Sequence, residues 1–248
     1  MKLTIVGCSG SFPGPDSAAS CYLVEADGFQ VLLDMGNGGL GQLQRYTTLD
    51  RPGAVLLSHL HADHVIDLTS YYVVRRYHPD GPMGPLPVYG PHGSAHRMAR
   101  AYDLPYNPGM THEFDFVTFP EEPFEVGPFR VTVAPVVHPV EAYAMRLEHA
   151  GRVLVYSGDT CPTPNLPEIA RGADVFLCEA AFLEGRTNPE GLHLTGKEAG
   201  EAATEAGVDR LIITHVPPWG DPDQAFAEAK DAYAGPTELA APGLVVEV

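Results

Sequence analysis

The chain has 248 residues, 44% of them apolar, and a formal net charge of −17 from 15 Lys and Arg against 32 Asp and Glu. That length can bury a large core without disulfide or metal staples, and no apolar run approaches the roughly 18 residues of a membrane helix. The acidic balance disfavours a long polyanion, so a small ligand is the expected partner, with neither nucleic acid nor membrane.

Residues 2–8 superficially mimic a lipoprotein cleavage box ending at Cys8. Their apolar stretch is only about four residues, short of the roughly 7 to 15 of a signal segment. Residues 3–6 are therefore read as a first strand and the protein as cytoplasmic. Strands are expected over 21–25 and 31–34, joined through Asp27-Gly28 as a hairpin. A helix over 37–46 precedes a buried strand over 54–57, which ends at Ser58-His59. Residues 63–77 read as a helix, with Val65, Leu68, Tyr72 and Arg76 near one face and Pro79 as its stop. A short strand over 86–89 and a helix over 92–102 follow. Strands are then expected over 114–117, 129–137, 142–147, 153–156, 175–178, 210–214 and 244–247, with helices over 196–206 and 224–233. No long linker, low-complexity segment or short repeat interrupts the chain, so residues 1–248 are expected to form one domain of two β-rich halves with helices outside. Cys8, Cys21, Cys161 and Cys178 show no CxxC spacing and are read as free thiols.

The strongest chemical signal is His59-Leu60-His61-Ala62-Asp63-His64, placed where a buried strand gives way to a helix. At this composition its chance expectation is on the order of 0.001 per chain. Four ligand-type side chains in six residues exceed what one tetrahedral ion takes comfortably. His59 and His61, two apart in a turn, can reach one ion, while Asp63 and His64 point toward a second.

With this motif the sequence resembles the metallo-β-lactamase fold hydrolases, whose signature continues with a later His, Asp and His at strand ends. The matching positions are His138, Asp159 in Ser157-Gly158-Asp159-Thr160, and His215. The resemblance implies an α/β fold, an αββα sandwich of two sheets flanked by helices. It also implies one ion on His59, His61 and His138, a second on Asp63, His64 and His215, and Asp159 bridging both. Two divalent ions are thus expected, zinc first, with manganese or iron suited to the same donors. Asp34, in Leu32-Leu33-Asp34-Met35-Gly36, matches the family's early Asp-x-Gly; it either orients a ligating His ring or simply makes a turn. His78, His92, His96, His112 and His149 are read as surface or loop residues.

Cys178-Glu179-Ala180 and His193-Leu194-Thr195-Gly196 are similar to the phosphodiesterase branch, which includes the tRNA 3′-processing endonucleases. There they imply a Glu179–His193 pair, with His193 as general acid for an alkoxide leaving group of high pKa. Thr195 and Glu198 read equally as a capping box, and both roles can hold together. Asp63 is also placed to accept a proton from the attacking water. Two features depart from the tRNA enzymes. His138 and Asp159 lie only 21 residues apart, leaving no room for their long basic arm, and the last motif continues as His215-Val216-Pro217-Pro218-Trp219-Gly220.

The similarity extends along nearly the whole chain to actinobacterial cyclic-nucleotide phosphodiesterases, carried by residues 7–11, 14–17, 56–64, 75–79 and 214–219. It implies hydrolysis of a small phosphodiester, a 3′,5′-cyclic nucleotide such as cAMP. The alternatives are tRNA 3′-end processing, a lactonase or thioesterase, and a metal-stabilised ligand-binding protein. Oxidoreductases of this fold carry Glu in place of the motif's second His, here His61. Arg75 and Arg76 are expected solvated or ion-paired, Trp219 either stacks on a base or anchors its loop, and Tyr143 is read as core. Family analogy implies a homodimer.

Overall fold

Alternating side chains along each strand sort into two apolar layers, because both faces of each sheet are covered. In β1 (Lys2–Ser9), Leu3 and Ile5 enter one buried cluster and Val6 another. In β12 (Val175–Glu179), Val175 and Leu177 share the first cluster, while Phe176 and Cys178 enter a third. The first cluster lies between two sheets, and the other two lie under helices. The result is an αββα sandwich, as expected. The computed structural model describes residues 1–248.

One sheet runs in the order β15 (Val245–Glu247), β1, β3 (Cys21–Ala26), β4 (Phe29–Leu33), β5 (Pro52–Leu56), β6 (Leu86–Gly90) and β7 (Phe114–Thr118), with β2 (Ala18–Ala19) beside β1. The other runs β14 (Thr237–Leu239), β13 (Leu211–Thr214), β12, β11 (Arg152–Tyr156), β10 (Tyr143–His149), β9 (Phe129–Pro135) and β8 (Phe124–Val126). β4 to β7 are parallel, and so are β11 to β14; β9 lies antiparallel to β10, which is antiparallel to β11, so β9 points the same way as β11. The carboxyl ends of β5, β9, β11, β12 and β13 carry His59, His138, Asp159, Glu179 and His215, the crevice position favoured for sites in parallel sheets.

Two expected helices are shorter than their periodicity implied. The one over 37–46 is α1 (Gly39–Leu43). The one over 63–77 divides into α2 (Ala62–Val65) and α3 (Leu68–Arg76). The strand-end loop after β4 makes this break. Met35 N–H donates to the His64 carbonyl at 2.6 Å, and its own carbonyl accepts from Asp67 N–H at 3.0 Å, replacing helical bonds across 64–67. Gly36 permits the approach, since a Cβ there would lie 1.9 Å from the Asp63 carbonyl oxygen. α4 (Ser94–Ala101), α6 (Gly196–Ala206) and α7 (Pro222–Ala232) fall close to expectation. β2, β8, β14 and α5 (Asn165–Ala170) are additional elements; α5 admits Pro167 because prolines are tolerated in a first helical turn. No helix is long and apolar enough to cross a membrane.

Candidate metal centre

The first group of converging donors is His59, His61 and His138. His59 is buried just beyond β5, His61 caps α2 in an extended conformation, and His138 follows β9. His59 Nε2 and His61 Nδ1 are 3.1 Å apart, and His138 Nε2 is 3.0 Å from the same His61 atom. His138 Nδ1 lies 2.9 Å from the Leu192 carbonyl, which can only accept. In the neutral ring the proton therefore sits on Nδ1, and Nε2 turns its lone pair toward the cluster. Burial and the neighbouring rings hold His59, His61 and His138 below the ordinary imidazole value, against the pull of Asp159. Three neutral imidazoles aiming nitrogen lone pairs at one point are a cation's donor set.

The second group is Asp63, His64, Asp159 and His215. His64 Nε2 lies 3.2 Å from His215 Nε2, 3.4 Å from Asp63 Oδ2 and 3.3 Å from Asp159 Oδ2. Asp159 Oδ2 is also 3.5 Å from His215 Nε2 and 3.8 Å from His59 Nε2, so this carboxylate stands between the groups. Its other oxygen, Oδ1, is buried without a hydrogen-bond partner. An orphaned carboxylate oxygen beside converging imidazoles fits a divalent ion. Burial opposes charge on Asp63 and Asp159, yet the surrounding imidazoles keep both well below the usual carboxylate range. With no thiolate among the donors, zinc, manganese and iron all suit the set; the four cysteines are free and lie outside both groups.

Asp34 performs the orienting role. Its carboxylate accepts from Ser58 N–H and Ser58 Oγ at 2.7 Å each, Tyr156 Oη at 2.8 Å and His64 Nδ1 at 2.7 Å. His64 Nδ1 is thereby the protonated nitrogen, and Nε2 faces the cluster. Asp34 and His215 both adopt left-handed backbone, φ 58° and 59°. The His215 turn also needs Gly10, where a Cβ would sit 2.1 Å from the His215 carbonyl oxygen.

Glu179 is fully buried at the end of β12 and accepts from Thr160 N–H at 2.8 Å and Ala181 N–H at 3.1 Å. Oε1, which accepts from Thr160, also binds His193 Nδ1 at 2.9 Å, and that nitrogen is 3.9 Å from Asp159 Oδ2. Thr195 and Glu198 close a reciprocal capping box at the start of α6, which fixes His193 two residues upstream. Burial works against a charged His193, but Glu179 and then Asp159 outweigh it and push the ring up to about 9. The site therefore favours the charged ring, whose Nε2 hydrogen-bonds no protein group.

The remaining singled-out residues behave differently. Arg75 is buried and donates to the Glu113 and Gly84 carbonyls, clamping the loop after α3, and Arg76 pairs with Glu113 at 2.8 Å. Trp219 is 70% exposed and packs on Phe12, ring centroids 4.5 Å apart, rather than on the core. Tyr143 is only partly buried and donates to Glu141. The Leu192 carbonyl, Ser58 and Tyr156 were not expected at the site. Ser58 and Tyr156 immediately precede recognisable motifs, whereas a backbone carbonyl leaves no trace in sequence.

Residues 30–216 match the family described as Beta-lactamase superfamily domain. An uncharacterised protein of Mycobacterium leprae is 43% identical, covering 100% of this chain and 89% of its own. The Bacillus subtilis protein named "Probable metallo-hydrolase YhfI" is 30% identical over 100% of both chains. Its crystal structure superposes with a TM-score of 0.89 over 99% of each chain, at 31% identity. A ribonuclease Z of Mycolicibacterium gilvum is 32% identical over 90% of this chain and 87% of its own.

Proposed function

Because the chain belongs to the metallo-β-lactamase superfamily and is a metal-dependent hydrolase, we propose that it cleaves a small phosphodiester, a 3′,5′-cyclic nucleotide such as cAMP, with two divalent ions. His59, His61 and His138 would hold one ion, Asp63, His64 and His215 the other, with Asp159 between them. The ions would supply a hydroxide-strength nucleophile at neutral pH and offset charge on the phosphoryl oxygens. Asp63 would accept a proton or hydrogen bond from the attacking water.

The observation that carries the reading is the Glu179–His193 pair. Water adds to phosphorus, the P–O3′ bond breaks, and the leaving alkoxide takes the Nε2 proton of His193, which Glu179 keeps charged. A thioester, whose thiolate leaving group departs readily without a proton, gives such a pair less to do.

The segment between His138 and Asp159 supports a small substrate. It is occupied by β10 and β11, joined directly through Ala150 and Gly151, and no arm projects from it. A net charge of −17 likewise opposes a long RNA. The second reading, tRNA 3′-end processing, is favoured by the ribonuclease Z relative. The deciding experiment measures bound metal and hydrolysis of 3′,5′-cAMP, 2′,3′-cAMP, bis-p-nitrophenyl phosphate and a pre-tRNA in parallel. Turnover of cyclic nucleotide with inert pre-tRNA is expected; cleavage of pre-tRNA alone overturns the reading in favour of the second. Light scattering on the same sample tests the homodimer.

A further inference from the structure

The second donor group draws His64 from the segment after β5 in one sheet and His215 from the end of β13 in the other. Their Nε2 atoms stand 3.2 Å apart, so the group exists only while the two sheets keep one relative position. Apolar packing between sheets is non-directional and sets that position loosely. Backbone bonds from His215 N–H to the Cys8 carbonyl and from Tyr143 N–H to the Ser58 carbonyl, 3.0 Å each, join the sheets at the rim of the site, and two buried tyrosines below it add directed side-chain bonds.

Tyr22, on β3 of the first sheet, reaches across to Thr214 Oγ1 at 2.8 Å, on the residue before His215. Tyr156, on β11 of the second sheet, reaches in the opposite sense to Asp34 Oδ2 at 2.8 Å, the atom that also binds His64 Nδ1. The rings lie 5.0 Å apart, inclined at 58°. Phenylalanine would fill the same apolar volume, and a buried hydroxyl is costly unless bonded. The hydroxyls therefore need a role beyond filling the core.

We infer that Tyr22 and Tyr156 are positioning residues for the second ion: their crossed inter-sheet hydrogen bonds, together with the His215–Cys8 backbone bond, set the His64–His215 spacing. The inference rests on the two-ion reading above. Tyr156→Phe removes one of the four donors on Asp34 and loosens the His64 ring. Tyr22→Phe leaves Thr214 Oγ1 without its partner, beside His215.

The test titrates metal-free protein with zinc against a chromophoric chelator, for wild type, Tyr22→Phe, Tyr156→Phe and Leu177→Ala. Leu177→Ala opens a cavity in the same fully buried core and sets the baseline for lost stability without lost aim. Each tyrosine variant is expected to lower one of the two zinc affinities 10- to 100-fold, the range for orienting partners of metal ligands, with the other affinity nearly unchanged. Leu177→Ala lowers Tm and leaves both affinities in place. Tyrosine variants that behave like Leu177→Ala, losing Tm with both affinities intact, overturn the inference; if one variant does not fold, the other decides it. Wild-type binding of a single ion refutes the two-ion reading instead, and the tyrosines are then judged on that ion's affinity.

Discussion

Replacing Glu179 by Gln removes a charge while keeping the side chain's size, and the structure fixes what this should do to His193. The ring is raised from 6.5 to about 9, its Nδ1 bonded to the carboxylate at 2.9 Å, and its side chain is only 10% exposed. At 1.36 kcal/mol per pKa unit, that is about 3 kcal/mol favouring the imidazolium. At pH 7.5 nearly all wild-type His193 is charged; without Glu179, burial and His64 lower the ring against Asp159 alone, and where these balance at the ordinary value it is charged in roughly one molecule in ten. Glu179→Gln should thus lower turnover of cAMP about tenfold at pH 7.5 and move the basic limb of the rate profile from about 9 toward neutrality. Hydrolysis of bis-p-nitrophenyl phosphate, whose leaving group needs no proton, should change far less. The variant also loses about 1–3 kcal/mol of stability, because the new amide meets the Thr160 or Ala181 N–H with a donor. The assay is kcat/KM against pH for both substrates. An unmoved basic limb, or equal losses on both substrates, would refute the acid role of His193 and the function of Glu179 in charging it.

Linkage gives a companion result: a raised histidine stabilises fully below about 6.5 and loses that stability as pH rises through about 9, so His193→Ala should flatten this part of the pH–stability curve, read by urea denaturation. Asp159→Ala should leave a protein that holds at most one ion by native mass spectrometry and turns over at least ~100-fold more slowly; two tightly held ions with full activity would remove it from its position between the groups. Gly36→Ala drives a Cβ to 1.9 Å from the Asp63 carbonyl oxygen; a loss of about 1–3 kcal/mol in denaturant titration, together with weaker metal binding, is expected, and a neutral result would show that the loop has slack. Trp219 is the chain's only tryptophan and is 70% exposed. AMP should quench its emission saturably and ribose 5-phosphate should not; equal responses leave the ring as a loop anchor on Phe12.

The candidate site was legible because its donors are local in sequence or follow recognisable strands. His59 to His64 lie within six residues, and His138, Asp159 and His215 each end an apolar run. The split between α2 and α3 was not legible, because it is made by Met35 and Gly36 from a distant loop, and periodicity reports a helix's face but not its competitors for backbone hydrogen bonds. Arg75 shows the same limit: an arginine on an amphipathic helix reads as solvated, yet loop carbonyls drew it inside. The edge strands β2, β8 and β14, at two or three residues each, are too short to carry a period.

Asp34 and His215 hold left-handed backbone, a region that glycine enters without strain. A non-glycine residue in that region carries about 1–3 kcal/mol of strain, less for Asp, whose short polar side chain tolerates it. At 34 the four hydrogen bonds that the carboxylate accepts outweigh this strain, since glycine would bury their donors unsatisfied; at 215 the ring's Nδ1 is buried without a partner, and there durability and chemistry ask for different residues. A screen for heat-resistant variants should therefore enrich glycine at 215 while keeping aspartate at 34, and it would yield a sturdier protein unable to assemble its second donor group.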